Sequence, residues 1–231
     1  MKSGVKRTTP YKVISIIILV ILAILFLFPL YWIVTGAFKP TTDIYASQPV
    51  WWPSEWVTSN FEKLFTKRSA PLFEIGALVG PTVPAAIRWL VNTVFMSVAA
   101  MLLTCITAAM AGYALAKKRF VGRALLFSLI ICAMALPKQV ILIPLLKEMS
   151  ALKLYGSLWA VIFPTVGWPF GVFLMKQFCE GVPGEMLEAA RIDGASEART
   201  FTQIVVPLIK PGIGALAIFT FINSWNDYFM Q

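Results

Sequence analysis

Residues 13–30 read VISIIILVILAILFLFPL, eighteen positions without a charge. A bilayer core about 30 Å thick needs about 20 mainly apolar residues at about 1.5 Å of helical rise each, and this apolar run extends to about residue 34. It is longer than the apolar core of a secretory signal, usually about 7–15 residues, and no small-x-small cleavage site follows. The run reads as a retained membrane anchor. Lys2, Lys6, Arg7 and Lys12 precede it with no acid among them, a bias that holds the N-terminus on the cytoplasmic side.

Composition agrees with a membrane solvent. Of 231 residues, 58% are hydrophobic and 13% charged, where soluble domains carry about 25% charged residues. The net charge of +9 is gathered in short segments beside apolar runs, with Lys117, Lys118, Arg119 and Arg123 as a second acid-free group. That pattern fits positive-inside orientation rather than a phosphate-binding face. Cys105, Cys132 and Cys179 lack metal-ligand or CxxC spacing and read as packing residues. Histidine is absent, which removes the commonest general base and metal ligand.

Four further runs follow. Residues 39–87 form a mixed outer loop, in which Trp51, Trp52 and Trp56 are suited to headgroup level. Its stretch IGALVGPTVPAAI is too short to span and is expected at the interface or on the outer surface. The second span covers residues 89–116 and is dense in small residues (Ala99, Ala100, Ala108, Ala109, Ala111, Gly112, Ala114), which let helices approach closely in lipid. A third, residues 124–146, is interrupted by PKQ at 137–139. A fourth, residues 157–178, contains Pro164, Gly167, Pro169 and Gly171, breakers tolerated where neighbours or a cavity satisfy the freed backbone. A fifth begins at Pro211 and continues to Gln231. The fold class is therefore all-α integral membrane, one domain over residues 1–231 with five visible transmembrane helices.

Counting from a cytoplasmic N-terminus places residues 179–210 inside the cell. Pro183 suits a helix start, and Glu185 and Glu188 suit its positive end. Gly194 is a stop signal, and Ser196 caps a second helix expected to end before Pro207. Ala190, Ala195 and Ala198 leave room at the bend for another surface, and Met186, Leu187 and Ile192 offer apolar grip. A simple hairpin tying two spans together is the plainer reading. A DNA-binding helix-turn-helix also uses two helices and a glycine turn. Here Glu180, Glu185, Glu188, Asp193 and Glu197 outnumber Arg191, Arg199 and Lys210, so phosphate repulsion argues against nucleic acid.

The residues Glu188-Ala189-Ala190, then Gly194, Ile204, Val206 and Pro207, resemble the EAA motif of binding-protein-dependent ABC importer permeases, with Val206 where the family pattern has Leu. LPKQVILIPL and FINSWNDYF are similar to the carbohydrate branch, close to the maltose-type second permease subunit. The resemblance covers most of residues 89–231. It implies six core spans, of which five are visible here, and a subunit that is not itself an enzyme. It further implies that Glu188, Ala189, Ala190, Asp193, Gly194 and Ala195 belong to a cytoplasmic coupling helix seated in a cleft of a separate ATP-hydrolysing subunit. Implied partners are ABC ATPase subunits, a second homologous permease, an extracytoplasmic solute-binding protein, a sugar-like solute and the lipid bilayer of the cell (inner) membrane. No cofactor is expected on this chain. It has no GxxxxGK[ST] phosphate loop, and ATP with Mg would bind the partner subunit.

The last run supplies candidates for a solute path. Asn223, Asn226 and Asp227 stand at i, i+3 and i+4 and are expected on one helix face. Asn223 falls about 17 Å along a helix that enters at Gly212, a depth at which polar groups face a bundle interior or an aqueous cavity. Trp225 and Tyr228 add aromatic surface, and Lys138 and Gln139 are further candidates at the broken third span. Helix-to-helix hydrogen bonding by the asparagines is the plainer alternative, and Asn92 reads as a packing polar residue. An ATP-independent secondary transporter or channel would share the composition but leaves the long connector unexplained.

Overall fold

The computed structural model describes residues 9–66, 69–72, 74–75 and 78–227. Lys2, Lys6, Arg7, Tyr228 and Gln231 lie outside them. The chain packs as two compact units, Met1–Arg88 and Trp89–Gln231.

In the first unit, α1 (Thr9–Ala37) is apolar on every face, and no residue of its most apolar stretch is buried by protein. A helix without a polar stripe has no side to turn toward water, so lipid is its solvent. Its C-terminal end carries an aromatic cluster. Trp51 packs on Phe28 and Trp32 with ring centroids 5.9 and 5.7 Å apart, and the Tyr31 hydroxyl donates to the Trp51 carbonyl. Lys39 is buried, lies 4.1 Å over the Trp32 ring and donates to the Val50 carbonyl. Its charge is thus held by a π-face and a backbone oxygen. Two short helices follow, α2 (Thr41–Ile44) and α3 (Ser59–Thr66). The stretch at 75–87 contributes to two small antiparallel pairs and then opens the next helix at Ala85. β1 (Ser69–Pro71) pairs with β4 (Thr82–Pro84), and β2 (Glu74–Ile75) pairs with β3 (Leu78–Val79).

The second unit is built on α4 (Ala85–Lys117), whose first residues end the preceding unit. The third apolar run is two helices rather than one interrupted span: α5 (Arg123–Ala133) and α6 (Lys138–Ala151). The break comes at residues 134–137, before the PKQ lysine, because Pro137 disfavours helical geometry in the residue before it. At 11 and 14 residues, neither helix alone crosses a bilayer core of about 30 Å. The fourth run is α7 (Trp159–Val166) and α8 (Pro169–Glu180), which together are long enough to cross. The fifth is α12 (Lys210–Trp225). Among the described residues, three helices are long and apolar enough to span. A fourth joins them if α12 is counted with the preceding helical stretch, from which it bends by 77°.

Helix α8 lies at the centre of this unit, between α4 and α12. Gly171 of α8 brings Leu216, Ala108 and Thr104 within contact distance of its Cα face. Cys105, Ala108, Ala109, Tyr113, Met175, Cys179 and Leu216 fill the buried core around it. The small residues of α4 thus serve helix packing, as expected from close approach in lipid. Phe127 of α5 stacks on Phe173 of α8 at 6.4 Å.

Candidate functional site

Between α8 and α12 the chain forms the connector. Helix α9 (Gly184–Ile192) starts after Pro183, with Glu185 in its positive first turn. Gly194 ends it with φ at +73°. There the Gly194 amide donates to the Arg191 carbonyl at 3.0 Å, and the Ala195 amide donates to the Ala190 carbonyl at 2.9 Å. This paired closure is the Schellman arrangement, which satisfies otherwise orphaned carbonyls and favours glycine in the left-handed position. Ser196 then caps α10 (Glu197–Thr200), its hydroxyl accepting from the Arg199 amide at 3.3 Å.

The second helix does not stop before Pro207. It widens into a π-helix over Phe201–Val205 and continues as α11 (Val206–Leu208). Pro207 falls in the first turn of that new segment, where a missing amide costs no hydrogen bond.

The faces of α9 divide sharply. Leu187 and Ala190 are buried against the chain's own core. They are anchors, not the apolar grip and open bend expected of them. Glu188, Ala189, Asp193 and Gly194 are exposed, Ala195 is half-buried, and Ile192 is 86% exposed. An isoleucine so uncovered, on a helix pinned from behind, leaves an apolar knob beside acidic side chains.

Sequence reasoning missed what holds the connector. Lys117 Nζ donates to the carbonyls of Glu180 at 3.0 Å and Val182 at 2.6 Å. Lys118 forms an ion pair with Glu197, which also accepts from the Tyr113 hydroxyl at 3.2 Å and lies 3.6 Å from Arg191. The Lys118 hydrogen bond draws the Glu197 carboxyl below its ordinary value of 4.5; burial opposes this in part, and the Tyr113 hydrogen bond and the Arg191 charge add smaller lowering effects. Lysines that read as orientation signals are also structural donors. The available clue was one acid, Glu197, near a glycine turn opposite an acid-free basic group.

The solute-path candidates separate. Asn223 and Asn226 are exposed, and their side-chain amides donate to the Phe219 and Ile222 carbonyls of their own helix at 3.0 and 2.9 Å. Among the described residues, these bonds do not bridge to another helix. Helix α12 ends at Trp225 with Asn226 as its C-terminal cap, so Asp227 lies beyond the helix that carries Asn223. Asp227 instead borders a cavity of about 10 Å³ with Met96, Ala100, Val161, Ile162, Thr165 and Ser224, room for about one water. Gln139 is exposed in the first turn of α6, and nothing brings it to the asparagines. A larger groove of about 690 Å³ is lined by Trp89, Asn92, Met149, Tyr155 and Ser157 among others.

The described residues of this unit thus form an apolar helical body with a polar connector closed by the Gly194 turn. Residues 106–231 match the family of binding-protein-dependent transport system inner membrane components, and the chain belongs to that family. It is 32% identical over 209 residues to the arabinooligosaccharides transport system permease protein AraQ of Halalkalibacterium halodurans, covering 90% of this chain and 70% of that one. The diacetylchitobiose uptake system permease protein NgcG of Streptomyces coelicolor is 28% identical, covering 95% and 68%. The fold matches a bacterial ABC transporter that imports the acidic polysaccharide alginate, with a TM-score of 0.71 and 22% identity, over 99% of this chain and 75% of that one. The chain is a multi-pass permease of the ABC importer type, a reading favoured over an ATP-independent transporter.

Proposed function

We propose that this permease carries a sugar or sugar-like solute by alternating access, driven by ATP hydrolysis in a separate subunit docked on α9. The observation that carries the docking is the divided face of that helix. Leu187 and Ala190 anchor it to the core, while Glu188, Ala189 and Ile192 are offered outward. Gly194 fixes the angle of presentation, and Asp193 and Ala195 flank it. A rigid projection transmits displacement; a floppy loop would absorb it.

Hydrolysis requires ATP with Mg in the partner, since this chain has no phosphate loop. Closure of two ATPase subunits would pull the connector and tilt α8 and α12, exchanging an inward for an outward cavity. The exposed face of α12 with Asn223 and Asn226 then meets a second, homologous permease, and these asparagines line the solute path there. Sugar as solute follows from the oligosaccharide relatives, and an extracytoplasmic binding protein delivers it. The N-terminus is cytoplasmic.

The test is mild-detergent purification of the tagged chain from its host, followed by uptake measurement in variants. Wild type should bring down an ATP-binding subunit and a second permease. Glu188→Lys and Gly194→Pro should insert normally but lose the ATPase subunit or uptake. Unaltered uptake in both variants would sink the docking reading.

A further inference from the structure

The connector is joined in sequence only to α8 and α12, yet residues 113–118 at the end of α4 grip it at two points. Lys117 holds its beginning through the Glu180 and Val182 carbonyls. Tyr113 and Lys118 hold its middle through the Glu197 carboxylate, one on each oxygen. The Tyr113 ring also packs on Phe201, centroids 5.4 Å apart, and Lys118 lies 5.2 Å from the same ring. Arg191 at the end of α9 reaches the same Glu197 oxygen as Lys118, at 3.6 Å.

Stability alone does not account for this arrangement. An ion pair whose side chains are 29% and 57% exposed is screened by water and contributes little to folding. Its geometry is more telling than its strength. The carboxylate joins the end of α4 with α9 and α10 at one point, and Tyr113 belongs to the same buried core cluster as Ala109 of α4 and Cys179 of α8. Packed cores transmit displacement rather than deform continuously.

We infer that Glu197 is a positioning residue that makes α4 a third helix driven by the connector, so that work delivered at α9 moves α4 directly through Lys118 and Tyr113. This rests on the docking reading given above. Without the clamp, the connector would still seat on its motor, but its motion would reach α4 only indirectly through side-chain packing. Hydrolysis and transport would then come apart.

The experiment uses the assembled transporter in proteoliposomes, measuring solute moved per ATP hydrolysed and the amount of ATPase subunit retained. Glu197→Lys should keep the ATPase subunit and hydrolysis while transport per ATP falls by about threefold or more, the scale of losing one exposed pair and adding a repulsion. Glu197→Gln, which keeps the shape, should fall less. The double exchange K118E/E197K should recover part of the ratio, the Arg191 contact staying lost, while the ATPase subunit retained and the unfolding temperature stay at the wild-type level in every variant, which a merely structural lesion would change. Wild-type transport per ATP in Glu197→Lys, or a loss that the exchange leaves unrepaired, would overturn the clamp. Failure of the wild-type chain to retain any ATPase subunit would instead overturn the docking reading on which the clamp rests.

Discussion

Gly112 of α4 stands against the backbone of Met175 in α8, so close that a Cβ at position 112 would lie 2.7 Å from the Met175 carbonyl carbon and 2.7 Å from the Lys176 amide nitrogen. Neither atom can swing aside, because both belong to the main chain of a packed helix. This contact sets the separation of the two helices on which the connector is mounted.

Gly112→Ala should therefore destabilise the unit by about 1–3 kcal/mol, the usual range for overpacking. Gly212→Ala would press on the Phe178 ring, a side chain that is 37% exposed and can give by changing rotamer, where the main chain of α8 cannot. Thermal unfolding in detergent should show the larger loss for Gly112→Ala. The reverse order would mean that the α4–α8 crossing is looser than drawn here.

Loss of the Ser196 cap should be local. Ser196→Ala removes the acceptor for the Arg199 amide, a change of about 1 kcal/mol at helix starts. Hydrogen exchange at residues 197–200 should quicken about fivefold, with α4 and α8 amides unchanged.

The connector should also respond to acid. The hydrogen bond from Lys118 lowers the Glu197 carboxyl from its ordinary value of 4.5. A carboxyl depressed on folding contributes stability above its unfolded value and loses it as pH falls through the folded one. Protection of the connector should hold steady from neutral pH down to about 4.5 and decline below, with the solvent-exposed pair limiting the effect to a few tenths of a kcal/mol. Glu197→Gln should abolish this component of the decline. An equal decline in that variant would assign it to other carboxylates.

Two buried hydroxyls make the opposite kind of prediction. Ser97 Oγ and Thr220 Oγ1 are fully buried, and no hydrogen-bond partner is found for either among the described residues. Replacing an unpaired buried polar group with an apolar one of the same shape is neutral or stabilising. Thr220→Val should leave the unfolding temperature unchanged or raise it. A clear fall would reveal a partner that this chain supplies only in its assembled state.

Much of the architecture was legible in the sequence because the bilayer imposes length and apolarity on each span. The run at residues 13–30 has no alternative to lipid, and the small residues of α4 announce close packing. The glycine stop and serine cap of the connector were readable too, since both are local devices decided within a few residues. The break at 134–137 was visible as proline, but its reach was not, because how far a helix frays before a proline depends on what packs around it. The end of α12 at Trp225 was equally hidden, and with it the position of Asp227 beyond the helix that carries Asn223.

Sequence by itself thus determined the solvent, the helical periodicity and the local signals of the connector, all set by short-range chemistry and by the thickness of a membrane. Tertiary structure alone decided which side of each helix is used. It buried Leu187 and Ala190, left Ile192 outward, and brought Lys118 to Glu197 across nearly eighty residues of chain. Such pairings arise from how α4 crosses α8, a geometry fixed by the absence of a side chain at Gly112 and not by any property of the charged residues themselves.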